Sequence, residues 1–222
     1  MPEGSFLFFL FLQKPIFDQQ CVYLLIFILL EKIILASQSP RRKQLLEWAE
    51  IPFEVIVKPT TETYPAELAV EEIPIHIARN KALEVKSFIK ECSKYLFTPG
   101  VILAADTIVV LDNKVIGKPA GRQDAIDILS ALSGNIHRVI TGVVILNKKK
   151  EIAFSDITTV TFHKLTQKQI EFYVDKYKPY DKAGAYAIQE WIGVVGIKSV
   201  LGDFYNVMGL PVSRVVCALA NL

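Results

Sequence analysis

Sulfur and imidazole are scarce in this 222-residue chain. Its three cysteines, Cys21, Cys92 and Cys217, lie far apart, form no CxxC pair and are odd in number. Such spacing does not build a disulfide framework and fits a reducing, cytoplasmic setting. The three histidines are equally dispersed, so a histidine-rich zinc site is not expected. Charge of one sign is lacking too. The 25 basic residues against 23 acidic ones leave a formal +2, too little for a protein that coats nucleic acid. No GxxxxGK sequence followed by Ser or Thr occurs, which excludes a Walker-type phosphate loop. No apolar stretch reaches the roughly 18–20 residues that a membrane-spanning helix needs.

The nearest approach to such a stretch lies in residues 1–30, twenty of which are apolar. Most of them fall in two blocks, 6–12 and 21–30, with Lys14, Pro15, Asp18, Gln19 and Gln20 between. The opening MPEGS lacks the basic region of a signal peptide. Residues 1–30 are therefore expected to be a dispensable extension or an over-extended gene start, with a membrane anchor as the alternative. Residues 31–222 are expected to form one domain.

Within that domain, residues 33–36 read as a short buried strand. Ser39 suits a helix N-cap and Pro40 a first helical residue, with Leu45, Leu46, Trp48 and Ala49 on the apolar side. Ala78, Ala82, Val85 and Ile89 predict a helix over 70–89 with Pro74 in its first turn. The nearly unbroken apolar run 101–111 reads as a central strand. A helix over 124–132 should stop at Gly134. Residues 139–146 and 152–162 read as paired strands, and Thr166 should cap a helix carrying Ile170, Tyr173, Val174 and Tyr177. Residues 194–200 read as a strand, and Pro211 should start a last helix. Helices and strands that alternate but include a hairpin predict an α/β fold with a mixed sheet.

Three constellations carry chemistry. The first is Ser37-Gln38-Ser39-Pro40-Arg41-Arg42-Lys43. A helix N-terminus offers unpaired N–H groups and partial positive charge. Three cations there oppose the helix dipole at roughly 0.3–1 kcal/mol each, which a bound anion would offset. Two serine hydroxyls and two guanidinium forks in one turn suit a polyphosphate; an ordinary capped helix is the alternative. The second is Asp106-Thr107 inside the apolar run, followed by Gly117-Lys118-Pro119. A carboxylate on a buried strand must be paired, protonated or metal-bound, and a structural Asp is the alternative. The third is Asp181-Lys182-Ala183-Gly184-Ala185-Tyr186-Ala187-Ile188-Gln189. Gln189 presents a donor beside an acceptor, which matches uracil or thymine; a buried structural glutamine is the alternative.

These three segments, together with Leu132-Ser133-Gly134-x-x-His137-x-Val139-x-Thr141-Gly142-Val143 and Asn206-x-x-Gly209-Leu210-Pro211, closely resemble the Maf family. The likeness covers about residues 33–222. It implies a nucleoside triphosphate pyrophosphatase that cleaves between the α- and β-phosphates. The implied fold is a mixed, twisted sheet with flanking helices around a deep cleft between two lobes, similar to the inosine-triphosphate pyrophosphatases. Lys182 and Gln189 match the branch acting on dTTP and UTP. The 7-methyl-GTP branch and the family's link to inhibited septum formation are the alternatives. By the resemblance, Asp106 is the catalytic carboxylate. It activates water or holds a divalent metal, magnesium or manganese, which Glu62 could share. Ser37, Ser39, Arg41, Lys118 and Lys182 would bind phosphates. Lys81 falls where the family carries a lysine. Arg42, Thr107 and Gln189 fall where substrate choice is set. The expected partner is the nucleotide itself; nucleic acid and membrane are not expected, and a homodimer stays open. Glu190 stands where glycine or a small residue is common.

Overall fold

The structure, a computed structural model, describes residues 32–91 and 100–222. The expected extension over 1–30, with Cys21, and the second cysteine, Cys92, lie outside the described residues.

The domain opens as the sequence predicts. Strand β1 (Ile33–Leu35) is fully buried, and helix α1 (Pro40–Trp48) follows a four-residue loop. Ser39 caps α1 by accepting from the Arg42 amide at 3.4 Å, and Pro40 stands in the first turn, where its missing N–H costs nothing. Strand β2 (Phe53–Val55) then pairs parallel with β1. Helix α2 (Ile73–Glu91) crosses over to strand β3 (Ile102–Leu111), which pairs parallel with the other side of β1. A tight turn at Asp112 and Asn113, both at positive φ, leads into strand β4 (Lys114–Ile116), antiparallel to β3. Two adjacent residues in the left-handed region are what a two-residue hairpin turn requires.

Helix α3 (Arg122–Leu132) precedes a long antiparallel pair, β5 (Ile136–Leu146) and β6 (Glu151–Phe162). Helix α4 (Gln167–Tyr177) starts with a capping box between Thr166 and Gln169. A single 3₁₀ turn (Ala183–Ala185) and helix α5 (Trp191–Gly196) lead to edge strand β7 (Ile197–Leu201). Helices α6 (Phe204–Met208) and α7 (Val212–Ala220) complete the domain. The seven-stranded mixed sheet runs β2-β1-β3-β5-β6-β7, with β4 beside β3. Among the described residues no helix is long and apolar enough to cross a membrane.

Two expectations are corrected. Trp48 is 59% exposed rather than buried, its ring edge-on to Tyr205. The strand expected over 194–200 begins at Ile197; Val194, Val195 and Gly196 belong to α5. β-branched residues predict strand, but the Gly193 and Val194 amides both bond back to the Glu190 carbonyl and wind these residues into α5.

The sheet topology makes the cleft. On one side of β3, β1 pairs as far as Leu103 and β4 begins at Val109. Between them β3 has no neighbouring strand on that side among the described residues, and Asp106 and Thr107 lie in this gap. Along β3, Ala104 and Ile108 pack against the apolar face of α2. Strand alternation puts Asp106 on that α2 face and Thr107 on the other. Gly142, opposite Asp106 on β5, lets the first turn of α2 lie directly on the sheet: a Cβ there would stand 2.2 Å from the Ile75 nitrogen.

Candidate active site

A cleft of about 610 Å³ opens over the gap. All of the expected site residues line it: Ser37, Ser39, Arg41 and Arg42 from the first loop, Glu62 and Lys81, Asp106 and Thr107, Lys118, Lys182 and Gln189.

At its floor, Lys81 of α2 reaches two carboxylates at once. Its Nζ donates to Asp106 Oδ1 at 2.7 Å and to Glu62 Oε1 at 2.8 Å. Lys118 adds a second cation, 3.3 Å from Glu62 Oε2. Burial alone would raise the Glu62 pKa, but the two lysines outweigh it and hold the carboxyl below its ordinary range. Two hard oxygen donors therefore converge on a single cationic point. That donor set fits magnesium or manganese, which bind one or two carboxylates and complete their shell with substrate phosphates and water. Among the described residues no cluster of three or more acidic, histidine or cysteine side chains is placed to hold a metal.

The first loop is more constrained than its sequence suggests. Arg42 is buried, and its guanidinium is tied in three directions. Nε donates to the Gly209 carbonyl at 2.7 Å, Nη1 to Ser37 Oγ at 3.0 Å and Nη2 to Thr107 Oγ1 at 3.0 Å. Burial lowers its pKa, partly countered by Asp106. Gly209 sits at φ +118°, a conformation that favours glycine, and so turns its carbonyl toward Arg42. Ser37 is likewise buried and Ser39 is committed as the cap. Of this loop, Arg41 remains nearest the opposite wall, 3.7 Å from Asp181.

That wall is the third motif. Lys182 is buried, donating to Asp181 Oδ1 at 2.8 Å with Glu190 Oε1 3.6 Å away. Burial alone would raise the Asp181 pKa, but Lys182 and Arg41 hold it below the ordinary value. Gln189 is exposed at the cleft edge, so it is not a buried structural glutamine. The turn carrying it is clamped from α4. The Tyr173 hydroxyl donates to Glu190 Oε2 and accepts from the Ala187 amide at 3.2 Å. Burial and the Glu190 contact push the Tyr173 hydroxyl far above its ordinary pKa, so it stays protonated and holds the turn as a neutral donor.

Sequence reasoning missed Thr141, Tyr173 and Asn206 as parts of the site, because each acts through a neighbour rather than facing the cleft alone. His137 is a further such residue. Its buried ring meets Phe162 and Tyr186 edge-on, with Nε2 2.8 Å from the Tyr186 hydroxyl. Burial pushes His137 down from 6.5 to about 4. Between those values the unfolded chain binds a proton that the folded chain refuses. Stability is therefore complete above about pH 6.5 and falls as pH drops toward 4, by up to about 3 kcal/mol. Thermal melts at stepped pH check this: Tm of the wild type should fall more steeply with acid than that of His137→Gln.

The fold and cleft define an α/β protein whose site pairs a carboxylate floor with cationic walls suited to a polyanion. The chain belongs to the Maf family, described as Maf-like proteins, whose sequence profile matches residues 32–222. It is 50% identical over 190 residues to a dTTP/UTP pyrophosphatase of Cytophaga hutchinsonii, covering 86% of this chain and 84% of that protein. It is 48% identical over 184 residues to one of Parabacteroides distasonis, covering 82% and 92%. It is 46% identical over 193 residues to one of Bacteroides thetaiotaomicron, covering 86% and 96%.

Proposed function

We propose that this protein hydrolyses dTTP and UTP to the monophosphate and pyrophosphate. The observation that carries this reading is the convergence of Asp106, Glu62 and Lys81 on the floor of a cleft walled by Arg41, Lys118 and Lys182. The activity named for the relatives agrees with it.

In this reading the triphosphate lies between the two cationic walls, with its α-phosphorus over Asp106. The carboxylate accepts a proton from the attacking water as its oxygen bonds to the α-phosphorus. The bond from that phosphorus to the α–β bridging oxygen breaks, and pyrophosphate leaves with the electron pair. Lys118 and Lys182 neutralise charge that builds on the departing oxygens. Glu62 and Asp106 are the residues that would hold a divalent cation, magnesium or manganese, which would supply further charge neutralisation. Arg42, Thr107 and Gln189 set substrate choice, Arg42 by holding Thr107 in place. We assign all of this to one domain, 31–222, with residues 1–30 dispensable to it. A cytoplasmic location is a further part of the reading, which the dispersed cysteines support.

The test is pyrophosphate release by purified protein with magnesium from UTP, dTTP and 7-methyl-GTP. Release of orthophosphate alone from UTP would sink the reading. Gln189→Ala tests the base contact. Loss of a paired hydrogen bond to the base should cut the preference for UTP over other nucleotides by about tenfold or more, measured as a ratio of kcat/KM values. A preference that survives intact removes the role of Gln189.

A further inference from the structure

A chain of hydrogen bonds runs behind the cleft wall and has a fixed direction. Thr141, fully buried on β5, stands opposite Thr107 of β3 in the sheet register. Its Oγ1 donates to the Asn206 carbonyl at 3.1 Å and lies 2.9 Å from Thr107 Oγ1. Thr107 Oγ1 in turn receives Arg42 Nη2 at 3.0 Å.

The two ends of this chain cannot reverse. A carbonyl only accepts and a guanidinium only donates. The arrangement that satisfies every contact has Thr141 donating to Asn206, and Thr107 donating to Thr141. The single proton of Thr107 is then held inward, and one of its two lone pairs is taken by Arg42. What Thr107 has left for a ligand is the other lone pair.

We propose that Thr141 is a positioning residue for substrate choice: by holding the Thr107 proton inward, it makes Thr107 an acceptor that selects a base presenting N–H. This rests on the substrate reading above, in which Thr107 helps to set that choice. Uracil and thymine carry a hydrogen on N3, whereas cytosine has a lone pair there. A Thr107 lone pair facing that nitrogen, sharing its N–H with the Gln189 carbonyl in a three-centre bond, attracts the first pair of bases and repels cytosine. Both the orientation and the loss of freedom come from a residue that does not touch the ligand.

Thr141→Val is the direct test. Valine keeps the shape and suits a strand. The Asn206 carbonyl is not orphaned by the change, because the Gly209 amide also donates to it at 3.0 Å. In the variant the Thr107 hydroxyl is free to rotate and donate into the cleft. The ratio of kcat/KM for UTP over CTP should therefore fall about tenfold, with CTP gaining in absolute rate. A merely structural role would lower both substrates together. Thr141→Ser, which keeps the hydroxyl, should restore the wild-type ratio. If the valine variant does not fold, Thr141→Ala carries the same comparison. An unchanged ratio in a folded, active variant without the hydroxyl overturns the proposal and leaves the substrate reading standing. A wild-type protein that releases no pyrophosphate from UTP overturns both.

Discussion

Asp106→Asn should lower kcat for pyrophosphate release from UTP by about a hundred- to ten-thousand-fold, the range expected when a general base is removed. The reason is local. Asparagine matches the size of aspartate but accepts no proton from water at neutral pH. It also removes one of the two carboxylates that face Lys81 and so weakens the only convergent oxygen pair on the floor of the described cleft. Stability should change little by comparison. Lys81 keeps its contact with Glu62, and Asp106, though buried, belongs to neither of the apolar clusters packed between β3 and α2. Turnover and thermal melting measured on the same preparation separate the two effects. A variant that retains wild-type kcat removes Asp106 from the chemistry.

Gly142→Ala should produce a large loss of stability beneath the site. The new Cβ would lie 2.2 Å from the Ile75 nitrogen and 2.3 Å from the Pro74 carbonyl carbon. Both are backbone atoms, so no side chain can swing away. Either the first turn of α2 lifts from the sheet or β5 bends, and both break the packing of Ile73, Ile77 and Ile140. Overpacking of this kind costs about 3 kcal/mol or more, which lowers Tm by roughly 10 °C in a domain of this size. Because Lys81 rides on α2, residual folded protein should also lose turnover. A melt within a degree or two of the wild type would show that α2 moves more easily than its packing suggests.

Local rules made part of this molecule legible in its sequence. Ser39 and Pro40 announce a helix start, Thr166 and Gln169 a capping box, and the apolar run of β3 a central strand. Those signals lie within a few residues of the structure they dictate. The three-residue strands β2 and β4 were not visible because, unlike the wholly apolar and buried β1, each carries a charged residue and no buried position, and is defined by its partner. Val194 and Val195 misled because amides at Gly193 and Val194 bond back to the Glu190 carbonyl, a turn that overrides β propensity. Glu62 and Lys81 were reached only through the family resemblance; nothing around either residue marks it as part of a site. The Arg42 network was out of reach for the same reason, since Gly209 is 167 residues away in sequence.

The alternation along β3 has a consequence for how such an enzyme could diversify. Asp106 and Lys81 share one face of the sheet, while Thr107, Thr141 and Arg42 share the other, one peptide unit away. A drifting lineage could therefore exchange residues on the second face and acquire a new nucleotide preference without disturbing the bond-breaking apparatus on the first. The central strand acts as a partition between two inheritable traits, so that altered selectivity need not pass through an inactive ancestor.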